Sequence, residues 1–168
     1  TIVAGLIEQD TLHKNSKSSS KKDFYSLDKE YFLKTLIKEI PTRSKVISST
    51  GYNSRELMYL RKKFNLNKSK DFYMVGGMGH TSSVALGYSL ASKKNTFCID
   101  GDGATFMHMG ALAINSEQNN LVHILINNCA HDSVGGQPTK GDSINFSKIA
   151  KEFGYKYCFK VDKLDQIG

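Results

Sequence analysis

The sequence predicts an α/β fold: a doubly wound, mostly parallel sheet with helices on both faces. Three observations predict it. Apolar, β-rich runs alternate with segments of helical periodicity from about residue 26 onward. Two of these runs, residues 95–100 and 121–126, lead directly into polar turns, Gly101-Asp102-Gly103 and Asn127-Asn128. Between those turns lie 23 residues, 104–126, the length of one helix and one returning strand. Two neighbouring parallel strands would then end side by side, one carrying a carboxylate and the other a carboxamide.

The elements follow in order. Residues 1–7 read as a buried strand, and residues 8–25 as a polar linker whose stretch 14–22 is of low complexity. The opening strand is therefore expected to end an upstream domain, giving 1–25 as that end plus linker and 26–168 as the main domain. Ser26 is expected to cap a helix to Ile40, with Leu27, Tyr31, Leu33, Leu36, Ile37 and Ile40 on its apolar face and Pro41 as the stop. Residues 45–49 read as a short strand. Asn53 with Glu56 reads as a capping box for a helix to Phe64. A strand at 72–75 leads into Gly76-Gly77-Met78-Gly79, and residues 81–91 form a helix of small residues suited to close packing on a sheet. After the strand at 97–100, residues 105–116 read as its crossover helix. The near-continuous apolar run 121–126 suits a central parallel strand covered on both faces. A glycine-rich loop, 128–144, precedes a helix capped by Asn145, a strand at 155–161 and a further helix from Lys163. Because the sequence stops one turn into that helix, a last strand is expected to be lacking.

Composition narrows the function. Hydrophobic residues make up 39% of the 168 residues, enough for a packed core and against global disorder. No apolar run approaches the roughly 20 residues that cross a bilayer, and the opening stretch lacks the basic leader of a signal peptide. The first residue is Thr, as expected of a fragment. Three cysteines without CxxC spacing argue against a disulfide framework or zinc site, and imply a reducing, cytoplasmic setting with Cys98 and Cys158 as core thiols. The formal charge of +7 comes from scattered lysines. Their clusters lie in the linker and at Arg61-Lys62-Lys63, read as the solvated end of a helix. With no basic-aromatic ladder, nucleic acid is not the expected partner, and the charge suits an anionic cofactor and substrate.

The chemistry concentrates at the polar turns. Glycines flanking Asp102 let backbone N–H groups approach an anion, and the carboxylate can hold a cation bridging two phosphates. Taken alone, each of Gly-Asp-Gly and Asn-Asn is more often a plain turn. Their joint placement after two strands joined by one crossover is what singles them out. Gly76-Gly77-Met78-Gly79 alone is a tight turn able to bind any flat ligand. It lacks the GxGxxG order, which excludes a nicotinamide-binding Rossmann domain.

With these residues in place, the chain resembles the thiamine diphosphate-dependent enzymes, whose pyrophosphate-binding domain carries a Gly-Asp-Gly…Asn-Asn signature. The resemblance covers residues 26–168 and implies the thiamine diphosphate-binding fold. It implies Mg²⁺ held by Asp102, Asn128 and the backbone of Ala130, with Gly101, Gly103 and Ala104 against the diphosphate. It further implies that Gly76 and Gly77 bind the cofactor, the Gly76 carbonyl accepting from its aminopyrimidine, and that Met78 props it in its bent shape. Residues 50–57, 78–80 and 128–139 resemble the phosphonopyruvate decarboxylases; sulfopyruvate decarboxylases, or another 2-oxo acid decarboxylase, are the alternative. The implied activity is that of a carboxy-lyase, forming phosphonoacetaldehyde and CO2 in phosphonate biosynthesis. His131 and Ser133 are candidates to contact the anionic 2-oxo acid. His80 and Arg55 are weaker ones, Arg55 equally suiting a surface pair with Glu56. His108 and His123 read as ordinary helix and strand residues. The family's catalytic Glu lies in an upstream pyrimidine-binding domain of a partner subunit, and no Glu here has that context. The chain alone is thus expected to be half a site, inactive without that domain in trans across a homo-oligomer.

Overall fold

In the computed structural model, which describes residues 2–6, 27–66 and 71–166, six strands form one parallel sheet. They are β1 (Ile2–Leu6), β2 (Lys45–Ser48), β3 (Phe72–Tyr73), β4 (Thr96–Gly101), β5 (Leu121–Asn127) and β8 (Cys158–Val161), in the spatial order β3-β2-β4-β5-β1-β8. A small antiparallel pair, β6 (Ala130–His131) and β7 (Gln137–Pro138), stands apart from it. Among the described residues no helix is long and apolar enough to cross a membrane.

Strand alternation sends side chains to two faces, and each face is roofed by helices. Val46, Ile99, Ile124 and Ile126 meet α1 (Lys29–Glu39) and α2 (Tyr52–Lys63) through Phe32, Leu33, Ile37, Leu57 and Leu60. On the other face Ile47, Cys98 and Leu121 meet Ala85 of α3 (Thr81–Ser92), whose buried Thr81, Ser82, Ala85 and Ser89 give the expected small-residue seam. Leu125 packs there against Phe146 of α6 (Phe146–Glu152), and Leu112 of α5 (Ala111–Asn115) packs against Ala150 and Tyr155.

From β2 the chain winds outward through α2 to β3, then returns through α3 to β4 and on to β5. The winding therefore reverses between the adjacent strands β2 and β4. Such a reversal leaves a crevice at the carboxyl rim, because the two connections leave in opposite directions. All six strands point the same way, so Ser49-Thr50, Gly101-Asp102 and Asn127-Asn128 emerge at that one rim.

Several expectations change. Ile2–Leu6 lies in this sheet, paired with β5 from Ile2↔His123 to Leu6↔Asn127 and with β8 from Ile2↔Cys158 to Gly5↔Val161. The crossover from β5 to β8 skips one strand position, and a short apolar parallel strand meets the unpaired backbone of both neighbours. Residues 7–26, including the linker and the Ser26 cap, lie outside the described residues. Asp28 caps α1 instead, accepting from the Tyr31 N–H at 2.7 Å. The capping box at Asn53 does not form: Gly51 occupies the N-cap position, Asn53 Nδ2 donates to Ser49 Oγ at 3.1 Å, and Glu56 pairs with Lys29 at 3.0 Å. The helix expected over 105–116 is two, α4 (Asp102–Met107) and α5, separated at His108–Gly110. Asn145 caps α6 as expected, accepting from the Lys148 N–H at 3.0 Å.

Candidate functional site: a cleft at the reversal of the sheet

Four segments converge at the reversal point, and side-chain contacts show how closely. One cleft is lined by Thr50, Tyr52 and Asn53 after β2, by Met78, by Gly101 to Ala104, and by Asn128, Ala130, His131, Asp132 and Ser133. At Gly103, a Cβ would stand 2.5 Å from the His131 ring and 3.4 Å from Met78 Cε. Only glycine permits that approach, so three motifs distant in sequence touch at one point. Ser133 lies over Gly51, and Asn53 Nδ2 stands 3.4 Å from where a Gly101 Cβ would be.

Asp102 is the first residue of α4 and is 1% exposed. Burial pushes its carboxyl upward from the ordinary carboxylate range, while a hydrogen bond from Thr139 Oγ1 and the Gly103 backbone N–H work in the opposite direction. Asn128 faces the same cleft. Its Nδ2 donates to Asp132 Oδ2, and its Oδ1 accepts from the Ala130 N–H at 3.3 Å. Burial likewise raises Asp132, with the charge of Lys29 and the Asn128 bond opposing. A buried carboxylate, a half-buried one and a carboxamide oxygen line the same cleft, and hard oxygen donors of this kind suit a divalent cation of the Mg²⁺ type.

The cleft thus gathers Met78, Gly101, Asp102, Gly103, Ala104, Asn128, Ala130, His131 and Ser133. Gly76 and Gly77 are not among its lining residues; they lie in the turn before Met78, where the His80 N–H donates to the Gly77 carbonyl at 3.0 Å. His80 instead packs its ring against His108, centroids 4.1 Å apart, outside the cleft. Arg55 is exposed with its guanidinium 5.6 Å from the Tyr52 ring.

The sequence reading missed Lys29, a buried cation that lines the cleft from the start of α1. It also missed the packing of His123 with Asp100 and Cys98 behind the site. All three are buried, and His123 Nε2 lies 3.8 Å from Asp100 Oδ2. Burial, then the Asp100 charge, pushes the Cys98 thiol well up, so it stays protonated as a core thiol. Cys158, the other expected core thiol, is only half-buried.

Residues 50–168 match the family model described as thiamine pyrophosphate enzyme, C-terminal TPP binding domain. The chain belongs to the thiamine pyrophosphate enzyme family. It is 36% identical over 137 residues to a phosphonopyruvate decarboxylase of Streptomyces hygroscopicus, a match covering 80% of this chain and 33% of that protein. It is 33% identical over 125 residues to a sulfopyruvate decarboxylase subunit beta of Methanocaldococcus jannaschii, covering 73% of this chain and 64% of that subunit. The chain therefore spans about a third of the length of the phosphonopyruvate decarboxylases it matches.

Proposed function

We propose that the protein carrying this chain is a thiamine diphosphate- and Mg²⁺-dependent decarboxylase that converts phosphonopyruvate to phosphonoacetaldehyde and CO2. The observation that carries the reading is the meeting of Asp102 and Asn128 in one cleft at the ends of adjacent parallel strands. Family membership supports the cofactor, and the phosphonopyruvate decarboxylase relatives support the substrate.

Residues of this chain have separate tasks. Asp102, Asn128 and the Ala130 carbonyl would hold Mg²⁺. Gly101, Gly103 and Ala104 admit the diphosphate close to the backbone. Gly76 and Gly77, in the turn before Met78, would bind the cofactor through the Gly76 carbonyl at its aminopyrimidine, and Met78 would prop it. Thiamine diphosphate, when bound, supplies an electron-accepting thiazolium for loss of CO2 from a 2-oxo acid. His131 and Ser133 orient the anionic ends of the substrate by hydrogen bonds. Lys29 adds positive charge to the cleft wall. Residues 26–168, with Ile2–Leu6 completing their sheet between β5 and β8, act as the diphosphate-binding domain. An upstream pyrimidine-binding domain, offered in trans within a cytoplasmic homo-oligomer, supplies the carboxylic acid that the reaction also needs. This chain alone is inactive.

A second reading is a β-type subunit of sulfopyruvate decarboxylase. It is favoured by the larger share of that relative, 64%, that the match covers. Turnover of both substrates by the intact enzyme separates the two. The common core is tested by thermal shift with thiamine diphosphate and Mg²⁺: the native protein should be stabilised and an Asp102→Ala variant should not. Equal stabilisation of both would overturn the metal assignment.

A further inference from the structure

The Asn127-Asn128 pair does two different jobs, and the second leads to Thr139, a residue to which the resemblance gave no role. Of the two, only Asn128 lines the cleft. Asn127 is 1% exposed, and its Nδ2 donates to the Gly141 carbonyl at 2.7 Å. Its Oδ1 accepts from the Cys129 N–H at 3.2 Å, which fixes the amide's orientation. The Gly141 N–H donates to Thr139 Oγ1 at 3.1 Å, and the Thr139 N–H donates to the Cys129 carbonyl at 2.9 Å. Thr139 Oγ1, one of its two lone pairs taken by the Gly141 N–H, gives its single proton to Asp102 Oδ2. A side chain at position 141 would collide with Asn127 Oδ1 and stand 2.7 Å from Asp102 Oδ2. The turn after β7 is thus fastened to both strand ends.

We propose that Thr139 is a positioning residue for the Asp102 carboxylate, its hydroxyl holding Oδ2 so that Oδ1 is left for the divalent cation, with Gly141, itself held by Asn127, holding the hydroxyl. The inference rests on the metal reading given above. A carboxylate held in advance loses little freedom when the cation arrives, so the benefit falls on cation affinity rather than on the chemical step.

The test uses the intact enzyme with Thr139→Val, which keeps shape and removes the hydroxyl, Thr139→Ser, which restores it, and Asp102→Ala. Mg²⁺ is titrated at saturating thiamine diphosphate, reading both calorimetric cofactor retention and turnover, and melting curves without ligand verify folding. Losing one hydrogen bond to a charged group should raise the half-saturating Mg²⁺ of Thr139→Val by about tenfold or more. Turnover at saturating Mg²⁺ should stay near that of the native enzyme, and Thr139→Ser should return the half-saturation to within about twofold. A Thr139→Val enzyme with native Mg²⁺ dependence overturns the proposal. So does a Thr139→Ser enzyme as impaired as Thr139→Val, or a loss of turnover that excess Mg²⁺ does not recover, because each assigns the loop to packing. If Asp102→Ala retains native Mg²⁺ dependence, the metal reading itself falls, a result distinct from failure at Thr139.

Discussion

Replacing Arg61 by Met should cost about 3–5 kcal/mol of folding stability. Arg61 is 5% exposed near the end of α2. Its guanidinium grips Asp71 through Nε at 2.8 Å and Nη2 at 3.0 Å, and Nη1 donates to the Leu66 carbonyl at 2.8 Å. Tyr73 adds a hydrogen bond to the same carboxylate at 3.0 Å; burial first, and the Asp71 charge next, push its phenol up so that it remains a donor. Met retains the apolar stem, so the loss isolates the charge and its bonds. Two unit charges about 4 Å apart attract by about 4 kcal/mol at an effective dielectric of 20, which agrees with the cost of stranding one member of a buried pair. Arg61→Lys should recover less than half, since an ammonium cannot reproduce two parallel bonds in the plane of the carboxylate. The double variant Arg61→Met with Asp71→Leu should lose less than the two single losses together. Urea unfolding followed by circular dichroism gives the midpoints. A loss below about 1 kcal/mol in Arg61→Met, or simple additivity in the double variant, would refute the reasoning.

Three further outcomes are expected. Gly103→Ala should weaken thiamine diphosphate retention severalfold in calorimetric titration, because its methyl must displace the His131 ring or the Met78 terminus from the cleft. Lys29→Met should weaken binding of the anionic cofactor at low salt, while Lys29→Arg should preserve it; identical affinities for Met and Arg would remove the cation from the cleft's electrostatics. Cys98 should make stability fall as pH rises. The native thiol keeps its proton above the ordinary value of 9.0 and the unfolded thiol loses it, so the native state binds more protons there. That contribution is absent below the ordinary value and grows by about 1.4 kcal/mol per pH unit above it, until the raised native value is reached. Comparing native and Cys98→Ala urea midpoints between roughly pH 8 and 10.5 should show the shallower slope in the variant.

What could be read from the residues was what depends on period and spacing. Continuous apolar runs marked β4 and β5, and one crossover length between Gly103 and Asn127 was enough to bring the two polar turns to one rim. Arg61 was hidden because its partner, Asp71, lies beyond the helix end, so a basic triplet looked solvated when its first member is buried. Lys29 was hidden because helix periodicity says which face is apolar but not which end of the helix meets a distant loop. The break between α4 and α5 had a signal in Gly110, a poor helix residue in the middle of the expected helix. Asn53 showed a capping pattern, yet Ser49 and the tight turn at Gly51 claimed its side chain first. The Thr139 bond to Asp102 joins residues 37 positions apart and leaves no trace in periodicity. The place of Ile2–Leu6 between β5 and β8 was likewise beyond reach, since an apolar strand carries no mark of the sheet it enters.

Because every strand of the main sheet runs in the same direction, the molecule has two unlike poles. The far pole, where β4 and β5 begin, is closed by its own small clasp: Asn120 Nδ2 donates to the carbonyls of Ser89 and Lys94, each at 3.0 Å. No residue assigned to the cleft stands at that pole. The exposed turn at Lys93–Lys94 is therefore the place to attach a dye, a tether or a solid support while leaving ligand access undisturbed.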